Sequence, residues 1–229
     1  MGCGASAASS PPSSPPSAYP PPSSRADLAR LCERSIELND GRLLVRGVLH
    51  RAGVVNCNGR VYPISCLRRE AERYAREQVA ARAAFGYLDH PDYDCDCDGF
   101  STVCRRRASH LVLETEWQRD ALVGTCLVLD DTEAGTRVRR AYLSGEVMGA
   151  SSRGTATLME REDGTVVVGN DFTLIAFDYV LEPSTPGAFL MPLGHRYGGL
   201  GHIKRCGGVG EKGSGLGGND GGLRGEGLA

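Results

Sequence analysis

The sequence predicts a mainly β, α+β fold: a closed or nearly closed β-barrel ringed by a few helices. Three observations carry that expectation. Most of the apolar residues between 43 and 181 fall in short runs rich in Val, Leu and Thr, the signature of strands. Only two stretches, 64 to 84 and 132 to 143, carry helical signals. Polar turns join neighbouring runs, so strands follow strands and the helices are left to pack outside.

In chain order, residues 7 to 24 (AASSPPSSPPSAYPPPSS) hold seven of the twelve prolines. They bury too little apolar surface to offset the entropy of ordering, so residues 1–25 are expected to be a disordered Pro/Ser-rich arm. LLVRGVLHRAGVVN (43 to 56) is expected to form strands around Gly47 and Gly53. In 64 to 84, Leu67, Ala71, Tyr74, Ala75 and Val79 share one helical face, with Pro63 just ahead of the start. HLVLETEW (110 to 117) and ALVGTCLVL (121 to 129) read as strands joined by the turn Gln118-Arg-Asp. Residues 132 to 143 form a second helix opened by Thr132. GEVMGASSRG, TATLMERE and the long apolar strand TVVVGNDFTLIAFDYVL follow, with a hairpin turn at Glu162-Asp-Gly164. After Tyr197, 14 of 32 residues are glycine, so 196–229 is expected to be a disordered tail. The folded domain is then 26–195, a length that suits a single core.

The totals exclude several classes. With 26 basic and 28 acidic side chains the formal net charge is -2, which gives no support to a nucleic-acid partner. No run of about 18 apolar residues is present, and Met1-Gly-Cys-Gly-Ala-Ser6 leads into no apolar stretch, so neither a membrane span nor a secretory signal is expected. The nine cysteines have neither zinc-finger nor disulfide-scaffold spacing, and read as reduced intracellular thiols.

A catalytic serine needs an imidazole to take its proton and a third group to orient that imidazole. Of the five histidines, His195 and His202 lie at or in the glycine tail, and His50 and His110 sit in or beside strands. His90, in GYLDHPDY, is a loop residue whose backbone is restricted by Pro91; the plainer reading is a surface turn capped by Asp89 and Asp92. GASSRG (149 to 154) sets two serines between small residues that permit close approach of a substrate backbone. The surroundings are not those of a nucleophile elbow.

Taken in order, NGRVYP (58 to 63), a helix, GYLDHP (86 to 91), SHLVLETEW (109 to 117), GASSRG and VGNDFTLIAFDYVLEPSTPGAF (168 to 189) resemble the prohead core proteases of tailed bacteriophages over about residues 45 to 190. The resemblance implies a barrel ringed by helices, related to herpesvirus assemblin. It also implies a serine endopeptidase that cuts scaffold or core and major capsid proteins, and itself, inside the assembling prohead in the host cell, with no cofactor. Carried over by motif, the base falls on His90 and the nucleophile on Ser151, with Ser152 as runner-up because adjacent residues of an extended segment face opposite sides. The third member falls on Asp178 of AFDYV, with Asp171, Asp89 and Glu114 as substitutes. The N–H groups of Arg153 and Gly154 are candidate oxyanion donors by position, and cleavage after an acidic residue is implied. The alternative is a non-catalytic core or scaffold component of the same fold.

Three features depart from the pattern. Cys95, Cys97 and Cys104 among aspartates suggest a soft metal, but the spacing is unfamiliar and a solvated acidic loop, with no metal, is the preferred reading. Arg105-Arg-Arg107 reads as a solvated loop. The N-terminus fits the pattern for myristoylation with an adjacent cysteine for palmitate. A homo-oligomer is compatible with the sequence but not indicated by it.

Overall fold

The computed structural model describes residues 24–91, 100–198 and 200. The described residues open with a helix that the sequence did not lead us to expect, α1 (Arg25–Leu38), whose N-cap Ser24 accepts a hydrogen bond from Asp27 N–H through its side chain. Its inner stripe is Leu28, Cys32 and Ser35. A buried serine in that stripe blurs the apolar period, and here its Oγ is satisfied by the Leu44 carbonyl at 3.0 Å.

Among the described residues, ten strands and two further α-helices follow: β1 (Leu44–Arg51), β2 (Arg60–Val61), α2 (Ile64–Tyr74), β3 (Phe85–Gly86), β4 (His110–Gln118), β5 (Ala121–Val128), α3 (Glu133–Leu143), β6 (Gly149–Thr155), β7 (Leu158–Glu160), β8 (Val166–Val168), β9 (Thr173–Val180) and β10 (Leu190–Pro192). The fold is a strand-rich α+β arrangement. The expected hairpin at 110–129 is present, with Arg119 at φ 58 in its turn. So is the one at Gly164, φ 80, between β7 and β8. The helix read over 64–84 is α-helical only to Tyr74, continues as a π-helical turn over Ala75–Val79, and then stops. α3 begins as expected at Thr132, whose Oγ1 accepts from Gly135 N–H at 3.0 Å.

Two expectations need correction. The long strand read over 165–181 is two strands. Gly169 N–H bonds Thr157 C=O, and the Asp171 carboxylate accepts from the Thr157 N–H and hydroxyl, so the chain turns there. The break sends β8 to one sheet and β9 to another. Strands therefore assemble as β10-β1-β5-β4-β3, β2-β8-β7 and β6-β9, and no single closed ladder runs through the described residues. Isolated bridges tie the two edges of the β6-β9 pair to the segments flanking the five-stranded sheet: Tyr179 to Leu88, just after β3, and Gly149 to Phe189, just before β10.

The core lies between these layers. β5, central in its sheet, is buried at every position. α2 covers β9: Tyr74 meets Phe177 edge-to-face at 5.5 Å, and the buried Glu70 accepts from Leu174 N–H at 2.9 Å while pairing with Arg73. That docking fixes β9, which carries part of the site.

Candidate active site

β6 and β9 run antiparallel with Ser151 directly opposite Asp178, so the two side chains project to the same face. Arg153, two residues beyond Ser151, shares that face. Ser152 pairs with Phe177 and points the other way. His90 arrives from a different element. After β3, Tyr87 C=O accepts from Tyr179 N–H and Asp89 N–H donates to Tyr179 C=O, each at 2.8 Å, which ties this segment to the free edge of β9. Asp89 then turns through φ 64, a conformation that Asp tolerates better than most residues, and delivers the His90 ring over β6.

The three side chains meet. His90 Nε2 lies 3.0 Å from Ser151 Oγ, and His90 Nδ1 lies 2.7 Å from Asp178 Oδ2. Asp178 is fully buried, Ser151 is 8% exposed, and the His90 side chain is 42% exposed. An inner carboxylate thus orients a ring whose other edge faces a nearly buried hydroxyl. Asp178 also accepts from Tyr87 N–H at 2.9 Å, from Arg153 Nε at 2.8 Å on Oδ2 and from Arg153 Nη2 at 3.3 Å on Oδ1. Burial pushes its carboxyl up; the hydrogen bonds from His90, Arg153 and Tyr87, with the guanidinium charge, outweigh that and hold it below the ordinary carboxylate range.

The substitutes weighed for the third position lie elsewhere. Asp171 is committed to Thr157, Glu114 accepts from Arg46 and Thr125, and Asp89 is exposed. His50 and His110 are buried, and burial pushes each down to about 4. The His195 carbonyl accepts from Asn39, while His202 lies outside the described residues. Arg153 N–H is not a free oxyanion donor. Ala150 N–H points away from β9 to Ala188 C=O, so by strand alternation the N–H groups of 151 and 153 face into the β6-β9 ladder. The guanidinium of Arg153, buried in the site, is what sequence reasoning missed; its place two residues after Ser151 in a strand was the available signal.

Cys104 N–H donates to the Tyr87 hydroxyl at 2.7 Å; Cys95 and Cys97, like Asp92 and the N-terminal acylation motif, lie outside the described residues. Among those described, no group of three or more His, Cys, Asp or Glu side chains is placed to hold a metal ion, and no helix is long and apolar enough to cross a membrane. Cys32, Cys57, Cys66, Cys104 and Cys126 are free thiols. Arg105 pairs with Asp131, so this part of the arginine run is not simply solvated.

A serine hydroxyl and a buried carboxylate on paired strands, joined through an imidazole from the neighbouring loop, form the arrangement of a serine hydrolase. The chain belongs to the prohead core protein serine protease family, whose profile matches residues 28–195. It is 29% identical over 166 residues to the prohead core protein protease of Enterobacteria phage T4, covering 69% of this chain and 75% of that one. Its structure is similar to that of the bacteriophage T4 capsid assembly protease gp21, with a TM-score of 0.56 and 27% identity over 61% of this chain and 82% of that chain.

Proposed function

We propose that this serine protease matures phage capsids, with Ser151 as nucleophile, His90 as general base and Asp178 as the group that orients and charge-stabilises His90. The observation that carries the assignment is the continuous chain of contacts from Asp178 Oδ2 through the imidazole to Ser151 Oγ, at 2.7 and 3.0 Å. Both are hydrogen-bond distances. The substrates are scaffold or core and capsid proteins of the prohead, and the chain itself, cut inside the assembling shell in the host cell. Membership of the family and the likeness to the T4 prohead core protein protease and capsid assembly protease support this part of the reading.

The reaction is acyl transfer. Nε2 of His90 takes the Ser151 proton as Oγ attacks the scissile carbonyl; the tetrahedral intermediate collapses as the imidazolium gives that proton to the leaving amine; water then repeats the sequence on the ester. Because the 151 and 153 amides face the β9 ladder, donors to the oxyanion are proposed to come from the opposite side of β6, the side on which Ala150 N–H donates to Ala188 C=O. The two bridges that tie β6-β9 to the segments flanking the five-stranded sheet support a barrel-like enclosure of the assemblin type. The folded protease is proposed to extend over at least 26–195.

A serine-directed fluorophosphonate tests the assignment. The full chain is expected to be labelled once, on Ser151, and to shorten itself on expression; Ser151→Ala is expected to do neither. Equal labelling of both, or labelling on Ser152, would overturn it.

A further inference from the structure

We propose that Arg153 is a positioning residue of this site: its buried guanidinium fixes the Asp178 carboxylate in the orientation that receives His90 and tempers that carboxylate's hold on the imidazolium formed during catalysis. The inference rests on the protease reading and extends it to a side chain outside the Ser-His-Asp set.

The geometry is specific. Arg153 is 2% exposed and Asp178 fully buried. Nε and Nη2 grip the two carboxylate oxygens side by side at 2.8 and 3.3 Å, a forked contact that only a planar guanidinium makes. Nε donates to Oδ2, the same oxygen that accepts from His90 Nδ1, so the carboxylate plane is set by Arg153 and the ring follows it. The remaining end of the guanidinium is also used: Nη1 donates to Phe100 C=O at 2.5 Å. Its faces lie against Tyr87 and Phe100, 5.2 and 5.6 Å from the ring centroids. A charge buried this deeply, with partners for each of its nitrogens, is held by construction.

The electrostatic consequence follows from charge count. A lone buried Asp⁻ beside His90 would favour the imidazolium strongly. With Arg153⁺ on the same oxygen, the pair is near neutral before His90 takes its proton. The other groups facing Asp178 and His90 do not substitute for it. Tyr74 from α2 and Tyr87 after β3 are neutral phenols, and burial keeps Tyr74 well above its usual range. His110 on β4 is pushed down to about 4. Arg107 lies over the Tyr87 ring, 5.6 Å from its centroid, whereas the forked contact to Asp178 is made by Arg153; Asp89 is exposed to solvent.

The test compares Arg153→Gln and Arg153→Lys in the full chain, with active sites counted by fluorophosphonate and the rate of labelling measured across pH. Arg153→Gln is expected to move the acid limb of the profile to higher pH by about one unit and to slow labelling at least tenfold. Arg153→Lys, which keeps the charge but loses the fork, is expected to leave the limb in place while still slowing the reaction. A purely structural role would lower the number of titratable sites and leave the limb unmoved in both; that result, or an equal shift in both, overturns the proposal. Should Arg153→Gln fail to fold, the Ser151→Ala chain serves alone: the NMR signal of Arg153 Nε–H should titrate with the same midpoint as the His90 ring, and a flat trace overturns the coupling. Failure of the parent to react with phosphonate would instead strike the protease reading, since the NMR measurement needs no turnover.

Discussion

Among single residues, Asp178 is the buried charge on which the contacts of the site converge. Its four donors come from three separate places, namely His90, Tyr87 and Arg153, and its removal would strand a buried guanidinium. Breaking one partner of such a pair costs about 3 kcal/mol or more, so Asp178→Asn in the Ser151→Ala background is expected to lose about that much stability at pH 7 by urea unfolding. The folded carboxyl is held below its unfolded value of about 3.9. Its contribution is therefore complete above that pH and is lost as pH falls through the folded value. The parent should weaken steeply below about pH 4, and the Asn variant should do so more gently. Parallel slopes in the two would show that this carboxylate is not the acid-sensitive group. His90, Ser151 and Asp178 were legible in the sequence because each sits in a motif and the motifs occur in order. Arg153 was read for its amide alone, since whether a long cationic side chain is buried depends on what the opposite strand offers, and that partner is 25 residues away.

At the scale of the element, the site depends on how closely β3 approaches β9. A methyl group at Gly86 would lie 1.9 Å from the Phe177 carbonyl oxygen and 2.4 Å from His110 Cε1. One is backbone, and the other belongs to a ring stacked 3.6 Å from Tyr179; neither gives way easily. Gly86→Ala should push the segment carrying His90 off β9. The expected cost is about 3 kcal/mol by overpacking, and a misplacement of this kind costs about a hundredfold in labelling rate. Gly164→Ala is the control: its φ of 80 is strained for alanine, but the position is open, so about 1 kcal/mol should be lost with no change in labelling. A Gly86→Ala chain that labels like the parent would remove the need for this contact. The hairpins and α3 were legible because turn residues and caps are local signals. The split of 165–181 into β8 and β9 was not, because Gly169-Asn-Asp bends only where Asp171 finds Thr157, a contact outside any sequence window. The missed α1 had its periodicity masked by buried Ser35, whose partner is likewise on another element.

At the scale of the whole molecule, the two ends of the described chain close on one another. Asn39, just after α1, donates to His195 C=O and accepts from Tyr197 N–H; Leu193 N–H donates to Leu44 C=O on β1; Arg42 reaches Leu200 C=O. Leu193 and Leu200 are buried. The C-terminal limit expected at 195 therefore falls inside a set of contacts that continues to Leu200, although the family match itself ends at 195. These contacts also seat α1 against β10 and hold β10 beside β1, where it pairs through Val45, Arg46 and Gly47. β10 leads back through Phe189 to Gly149 at the start of β6, so the C-terminal segment supports the strand that carries Ser151. In the Ser151→Ala background, a chain cut to 24–200 is expected to melt within about 2 °C of the full-length protein, because the contacts described here all lie inside it. A chain cut to 24–192 loses two buried leucines worth about 2 kcal/mol each, the Tyr197 N–H that donates to Asn39 Oδ1, and one of the two donors to the Leu44 carbonyl, which keeps Ser35 Oγ. Its melting point should fall by at least about 10 °C. Equal melting of the two fragments would mean that the segment after β10 does not brace the sheet, and that the strand bearing Ser151 holds its place through β9 alone.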